Sequence, residues 1–455
     1  MEHDRKRRAV EGLKDVLIVL LTASALWLAA QTPLASPLSG LLREEGRQTA
    51  AIPGQGVDRA EGALPMAMVA NLPGGAGASP NLPEGTEGMR CGLLYDQAAC
   101  QELFRQVARP LVEALSSAGA PEQVDRREWE RVLTGTLGVY MDFQGRIPAP
   151  VLMGWLSGED TRLTAEMRRL ALTVWEDGVD LYYRDERDGL YYRCRSEVAD
   201  PFSLAEALSG LTDNGAFYAF ESELYQELDP DTLLLPEAPV PAAYTAANPL
   251  DAGQESIRTL VQDLGFSLNS TSFYSTDEQV ARSGDDQVRL SDRGVAQYQY
   301  EGRRGNGLFP VLSQGEAGAL FDSVETCRQI ALSAVGTRCG EARLYLMSAQ
   351  AGDEGWEIDF GYSLNGVPVL TESGYAARFQ VKEGEVVQFS LYLRSYANSG
   401  SLSLVLPPRQ GLAALLARGL TGQELLLTYS ETGSDALTAG WSAKDNRRER
   451  SAEPS

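Results

Sequence analysis

Carboxylates dominate the side chains here that can do chemistry. The 455 residues include 63 Asp and Glu against 40 Lys and Arg, with one histidine and five cysteines. The histidine is His3, so everything after the first few residues must work without imidazole. A Ser-His-Asp or Cys-His nucleophile, or a His-ligated zinc site, cannot be assembled there from this chain alone. No phosphate-cradling G-x-x-x-x-G-K-[ST] loop and no G-x-S-x-G elbow occurs. What remains is acid chemistry by paired carboxylates, as in glycoside hydrolysis, and no pair is singled out by spacing. The acidic turn Asp185-Glu186-Arg187-Asp188-Gly189 lacks the alternation of a calcium loop. The expectation is therefore no catalytic residue, no cofactor and no metal. Cys91, Cys100, Cys194, Cys327 and Cys339 leave two options: bridges within the sequence-near pairs Cys91–Cys100 and Cys327–Cys339, or small buried hydrophobes.

The element that must place all of this is Val16–Leu34, the one run apolar enough to enter a membrane. A helix rising ~1.5 Å per residue needs about 20 such residues to cross the hydrocarbon. Arg5, Lys6, Arg7, Arg8 and Lys14 precede it, and no Lys or Arg follows until Arg43. This asymmetry predicts a cytoplasmic tail (1–15), a transmembrane helix (16–34) and an exported remainder. A cleaved signal peptide is the alternative, with Ala23-Ser24-Ala25 as its cleavage site. Within the run, Ile18, Thr22, Ala25 and Ala29 share one helical stripe, where small residues would let a partner helix approach. The net charge of -23 lies almost wholly in the exported part, which argues against nucleic acid or an anionic lipid surface as partner.

The exported part reads as α+β. Residues 35–61 are Pro/Gly-rich and read as a linker. Residues 62–235 carry a strand at 64–70 and a second at Met89–Tyr95. A helix follows, capped by Asp96, with Leu103, Val107, Leu111 and Leu115 at i, i+4 spacing, and Pro110 should kink or restart it. The proline-rich stretch 236–249 reads as a second linker. Residues 250–443 then divide into a middle unit (250–305) and a C-terminal unit (314–443). In the latter, Trp356, Ile358, Phe360 and Tyr362 alternate with polar residues, and Asn365-Gly366 predicts a type I′ hairpin turn. A helix over Gly318–Val335 should pack on that meander. Residues 444–455 are polar and should be disordered.

At these residues the chain resembles the YycH/YycI family, the membrane-anchored accessory proteins of the WalK–WalR two-component system in low-GC Gram-positive bacteria. The resemblance lies first in the topology, and next in Leu264-Gly265-Phe266, Tyr274, Val288-Arg289-Leu290-Ser291, Gly294 and Tyr298. Its most specific part is the hairpin Phe360-Gly361-Tyr362 with Gly366-Val367-Pro368-Val369, followed by Tyr392-Leu393-Arg394-Ser395-Tyr396. Leu437-Thr438-Ala439-Gly440-Trp441 is similar to the family's closing motif, with Ala439 in place of proline. Five cysteines and the long stalk are departures. The clear match spans about 255–441. The resemblance implies PepSY-like helix-on-sheet units, no catalysis, and association with a WalK-like sensor histidine kinase and with a paralogous accessory protein.

Two functions from different classes follow: a regulator of a sensor kinase controlling cell-wall metabolism, and an extracytoplasmic binding module for peptide, wall polymer or protease. Under both, a topology reporter fused after Asp445 should be active only outside the cytoplasm, and the purified protein should retain Val16–Leu34. A mature N-terminus near Leu26 would contradict the anchor.

Overall fold

The computed structural model describes residues 59–73, 89–175, 178–196, 199–267, 271–273, 278–303, 305–313, 318–352, 355–431 and 435–444. The expected transmembrane helix, most of the first linker and the tail beyond Lys444 lie outside them. No helix of the described residues is long and apolar enough to cross a membrane.

The first half builds an antiparallel sheet from β1 (Ala67–Leu72), β2 (Met89–Leu93), β3 (Glu122–Val124), β4 (Gly138–Pro148), β5 (Glu166–Trp175), β6 (Gly178–Asp185) and β7 (Tyr191–Ser196), in the order β2-β1-β4-β5-β6-β7-β3. The period-2 pleat sends alternate residues into two cores. Met68, Met141, Leu170 and Leu172 enter the large core. Val69, Tyr140 and Ala171 enter a smaller one around Trp129. The large core is lined by α1 (Gln97–Ser116), α3 (Ala149–Leu156) and α4 (Pro201–Leu208), the small one by α2 (Arg126–Gly135). Asp96 caps α1 by accepting from the Ala99 N–H at 3.0 Å. α1 runs on through Pro110 without a break, so the helix does not restart there. The missing hydrogen bond is offset by burial of the whole Leu103–Leu115 stripe, Pro110 included.

The second linker is a structured part of the fold. After a two-stranded ribbon of β8 (Phe217–Tyr218) and β9 (Leu233–Leu234), residues 236–249 contain β10 (Ala242–Ala247). The middle and C-terminal units also merge. α5 (Gln254–Asp263) leads to β11 (Thr271–Phe273), β12 (Glu278–Ser283), β13 (Asp286–Ser291) and β14 (Val295–Tyr300). After α6 (Gly318–Ala331), ended by a π turn over Leu332–Gly336, come β15 (Arg343–Gly352), β16 (Gly355–Leu364), β17 (Val367–Leu370), β18 (Ala377–Lys382), β19 (Glu385–Tyr392) and β20 (Ser395–Leu402). β14 pairs with β19, which joins both units in one sheet. Finally α7 (Pro408–Ala417) precedes β21 (Glu424–Ser430), β22 (Ala436–Leu437) and β23 (Ala439–Lys444). β16 is flanked by β15 on one side and by β17 and β18 on the other, and β17 carries β21 and β23 onward. β10 stands between β20 and β22 in a small third sheet.

The halves are not separately compact. Gly154 of α3 sits so close to α6 that a Cβ would lie 2.3 Å from the Phe321 ring, and Trp155 Nε1 donates to Glu325 Oε2 at 3.0 Å. The hairpin turn of β16–β17 does the same for α1. Asn365 and Gly366 both have positive φ (50° and 80°), as a type I′ turn requires. Asn365 Oδ1 accepts from the Gln97 N–H (3.0 Å), while its Nδ2 donates to Tyr95 O (2.7 Å).

One shared core predicts one calorimetric unfolding transition across residues 59–444. Gly154→Ala should destabilise it by about 1–3 kcal/mol through overpacking. Two separated transitions in the parent protein would contradict this architecture.

Candidate functional site: a cleft beside a buried ion cluster

Arg168 and Arg169 are neighbours on β5 and both are buried, which a regular strand does not allow for two charges facing one site. Irregularities resolve this. The β4–β5 register shifts between Asp142 and Ile147, and the β5–β6 register shifts between Met167 and Leu170. Such bulges re-aim side chains. The Arg168 guanidinium donates to Asp142 through Nε (3.0 Å) and Nη2 (3.0 Å), and to Glu424 through Nη1 (2.7 Å) and Nη2 (2.8 Å). Arg169 lies 3.1 Å from Glu424 Oε2, 3.4 Å from Asp231 Oδ2 and 3.6 Å from Asp229 Oδ1. Asp231 also accepts from Trp129 Nε1 and the Tyr191 hydroxyl, both at 3.1 Å. Burial pushes the Glu424 carboxyl up, but the two guanidinium groups outweigh it and hold the carboxyl well below the usual range. The cluster ties the first sheet to the 229–231 segment and to β21.

Beside it opens a cleft of about 580 Å³ between β4, β15, β17, β21 and β23. Gly361 lets two of its lining side chains lie close to β16, since a Cβ there would meet the Tyr345 ring at 2.7 Å and Met347 Sδ at 3.0 Å. Leu370 and Leu426 line its walls, and Arg146, Arg168, Lys444 and Glu186 bring charge to it. Lys444 Nζ donates to Gln144 O at 3.0 Å, fixing β23 to the β4 bulge. Asp359 also lines the cleft, but both its oxygens accept from Arg378 at 2.8 Å. The arrangement offers apolar contact with a few charged and hydroxyl groups around it, the composition of a binding cleft.

The resembling motif is placed partly here. Pro368 lines the cleft, Gly366 makes the docked turn, and Phe360, Tyr362 and Val369 are buried in the core. Tyr392 and Tyr396 both donate to Glu431, at 3.0 and 2.8 Å, and Tyr362 donates to Tyr392 O at 2.7 Å. The stretch Tyr392–Tyr396 thus converges on one acid. Ile18, Thr22, Ala25 and Ala29 lie outside the described residues. Neither expected disulfide is present: all five cysteines are free and buried. The Cys100 thiol donates to Leu93 O at 3.3 Å and that of Cys339 to Ala342 O at 3.0 Å. Burial pushes these thiols up, to about 12 for Cys100 and about 11 for Cys339, so they act as small buried groups. The ion cluster escaped the sequence reading. Its signal was the Arg168-Arg169 pair breaking an otherwise apolar strand.

Among solved structures, the crystal structure of YycH from Bacillus subtilis superposes with a TM-score of 0.52, covering 85% of this chain and 95% of that one at 12% identity. The fold is YycH-like. No protein-family model matches the chain, and no curated protein does. The YycH-like fold agrees with the α+β class read from the sequence. In the second half, β14 and β19 join the middle and C-terminal units in one sheet.

Glu424→Gln should cost about 3–5 kcal/mol at neutral pH by leaving buried guanidinium charge uncompensated. Because the folded-state carboxyl is depressed, its contribution is complete above its ordinary value of 4.5 and is lost as pH falls below that. Urea unfolding from pH 7 to pH 3 should show the parent losing stability below about pH 4.5 and the variant losing less. Parallel acid limbs would contradict the assignment.

Proposed function

We propose that this chain is a distant member of the YycH/YycI family: a non-enzymatic, membrane-anchored extracytoplasmic regulator of a WalK-like sensor histidine kinase controlling cell-wall metabolism. The observation that carries this reading is the YycH-like fold over nearly the whole of both chains, together with the motif residues around the β16–β17 hairpin. The chemistry of the described residues is in keeping with it. Of the buried acids, Asp142, Asp231, Glu325 and Glu424 are engaged by arginines, while Asp286 and Glu385 accept from the Tyr298 hydroxyl and from backbone N–H groups. A partner or ligand that prefers one kinase state would shift that equilibrium only by its difference in affinity for the two states. The second reading, a binding module without a kinase, is favoured by the cleft beside Tyr345 and Met347, which could hold a peptide or polymer segment.

Association with the kinase through the membrane helix is the testable part. Ala25→Leu or Ala29→Leu should reduce recovery of a co-expressed kinase several-fold while membrane insertion persists, and Leu20→Ala should have much less effect. Equal recovery across the three variants would remove the Ile18–Ala29 stripe from consideration. No recovery of kinase with the parent protein would favour the binding module.

A further inference from the structure

A second pocket, of about 300 Å³, lies between α3, α6 with its π turn, the 3-10 turn Arg59–Ala63 and the first half of β15. Tyr345 is the one lining residue it shares with the cleft. Trp155, Leu332, Leu344, Leu346 and Phe360 make its walls apolar. Gly62 lets the 3-10 turn close directly on the indole, since a Cβ there would lie 2.8 Å from the Trp155 ring. Into this setting α6 brings a guanidinium. The Arg328 side chain is 7% exposed, and its Nε and Nη2 donate to Glu325 at 2.7 and 2.9 Å. Glu325 also accepts from Trp155 Nε1 at 3.0 Å and Gln329 Nε2 at 3.1 Å, and it lies behind the pocket lining. A guanidinium carries its five N–H donors in one rigid plane. With the Nε–Nη2 edge turned to Glu325, the Nη1–Nη2 edge must face the other way. Nη1 makes no hydrogen bond to the described residues. A nearly buried cation, fixed by its own counter-ion, thus keeps a two-donor edge for something else.

Two further observations point to a ligand. The π turn places Leu332 and Gly336 on the pocket wall, and single π turns recur at functional sites. Half-buried Arg343, which opens β15, also lines the pocket and has no ion pair among the described residues. We propose that this pocket binds a small monocarboxylate with an apolar body. The carboxylate meets the Nη1–Nη2 edge of Arg328, with Arg343 close by, and the body packs on Trp155, Leu344 and Phe360. Recognition is by donor direction and not by net field. Glu325 already offsets Arg328, and the exposed Glu61, which also lines the pocket, offsets Arg343. A planar fork matches the two oxygens of a carboxylate, and a charge-assisted pair is roughly twice as strong as a neutral one. The volume is at the lower end for ligand cavities, which suits a small acid and not a polymer segment.

The test is titration calorimetry on the full-length chain with phenylacetate. Phenylacetamide serves as its uncharged isostere, and inorganic phosphate as an anion without an apolar body. Phenylacetate should bind with a Kd of about 1 mM or below, and phenylacetamide about tenfold more weakly. Arg328→Lys keeps a charge beside Glu325 but loses the planar fork, so phenylacetate should bind about tenfold more weakly. Arg343→Gln should weaken it about threefold. Leu344→Trp fills the pocket and should abolish binding, whereas Leu370→Trp in the cleft should leave it unchanged. Circular dichroism identifies any variant that fails to fold, and the ligand comparison on the parent protein with Arg343→Gln then decides. Absence of phenylacetate binding overturns the proposal, as does equal affinity for phenylacetamide. Phosphate binding as tightly as phenylacetate overturns it too, since that marks an anion site without an apolar body. Loss of binding in Leu370→Trp but not in Leu344→Trp would move the acid to the cleft and sink this pocket.

Discussion

Two arginines side by side in a buried strand set a condition that much of the fold exists to meet. Taking a guanidinium out of water costs several kcal/mol unless carboxylates of good geometry face it. Asp142, from the neighbouring strand, bonds Arg168 and lies 3.5 Å from Arg169, and Asp229 and Asp231 face Arg169 from the other side. Glu424, from the other end of the sequence, supplies the bidentate contact that closes the set. The consequence is spatial. β21 must lie against the bulges of β4 and β5, so β23 follows it to Lys444 and the cleft opens where the two sheets meet. Gly145 permits the same approach, since a Cβ there would lie 1.8 Å from Leu346 O.

Local features were legible in the sequence where local physics decides them. The Asn365-Gly366 turn, the Asp96 cap and the alternation along β16 follow from positive φ, from an unpaired N–H and from a half-buried pleat. Partners far apart in the chain were not legible. Nothing in the 295–300 or 385–392 stretches says that they pair, and that pairing turns two expected units into one sheet. The proline-rich segment 236–249 read as a linker because proline and alanine usually mark one. Its Ala242–Ala247 nonetheless sits between two strands, with the prolines just outside the ladder. The cysteines were read from spacing, and spacing is silent about thiols that donate to carbonyls inside a core. The candidate cleft was missed for a similar reason. Its lining comes from strands far apart in the chain.

The structure also divides the resembling motif by role. Phe360, Tyr362 and Val369 pack the core, Asn365 and Gly366 fasten one half to the other, and Tyr392 and Tyr396 share Glu431. A short pattern of this kind preserves contacts within the molecule, which is why it can point to a fold at low sequence identity.

The contact between Arg168 and Glu424 spans 256 residues, and this imposes an order of events on biogenesis. Synthesis proceeds from the N-terminus, so the first sheet emerges with its two arginines facing Asp142, Asp229 and Asp231 alone. It must wait for nearly the whole remaining chain before Glu424 arrives. Until then the nascent domain is a partly charged, incompletely closed layer with exposed strand edges, the kind of species that holdases bind and proteases sample. A premature stop shortly before residue 424 would therefore cost the early half its native state as well as the missing strands, and quality control would see the loss as misfolding of the whole folded body.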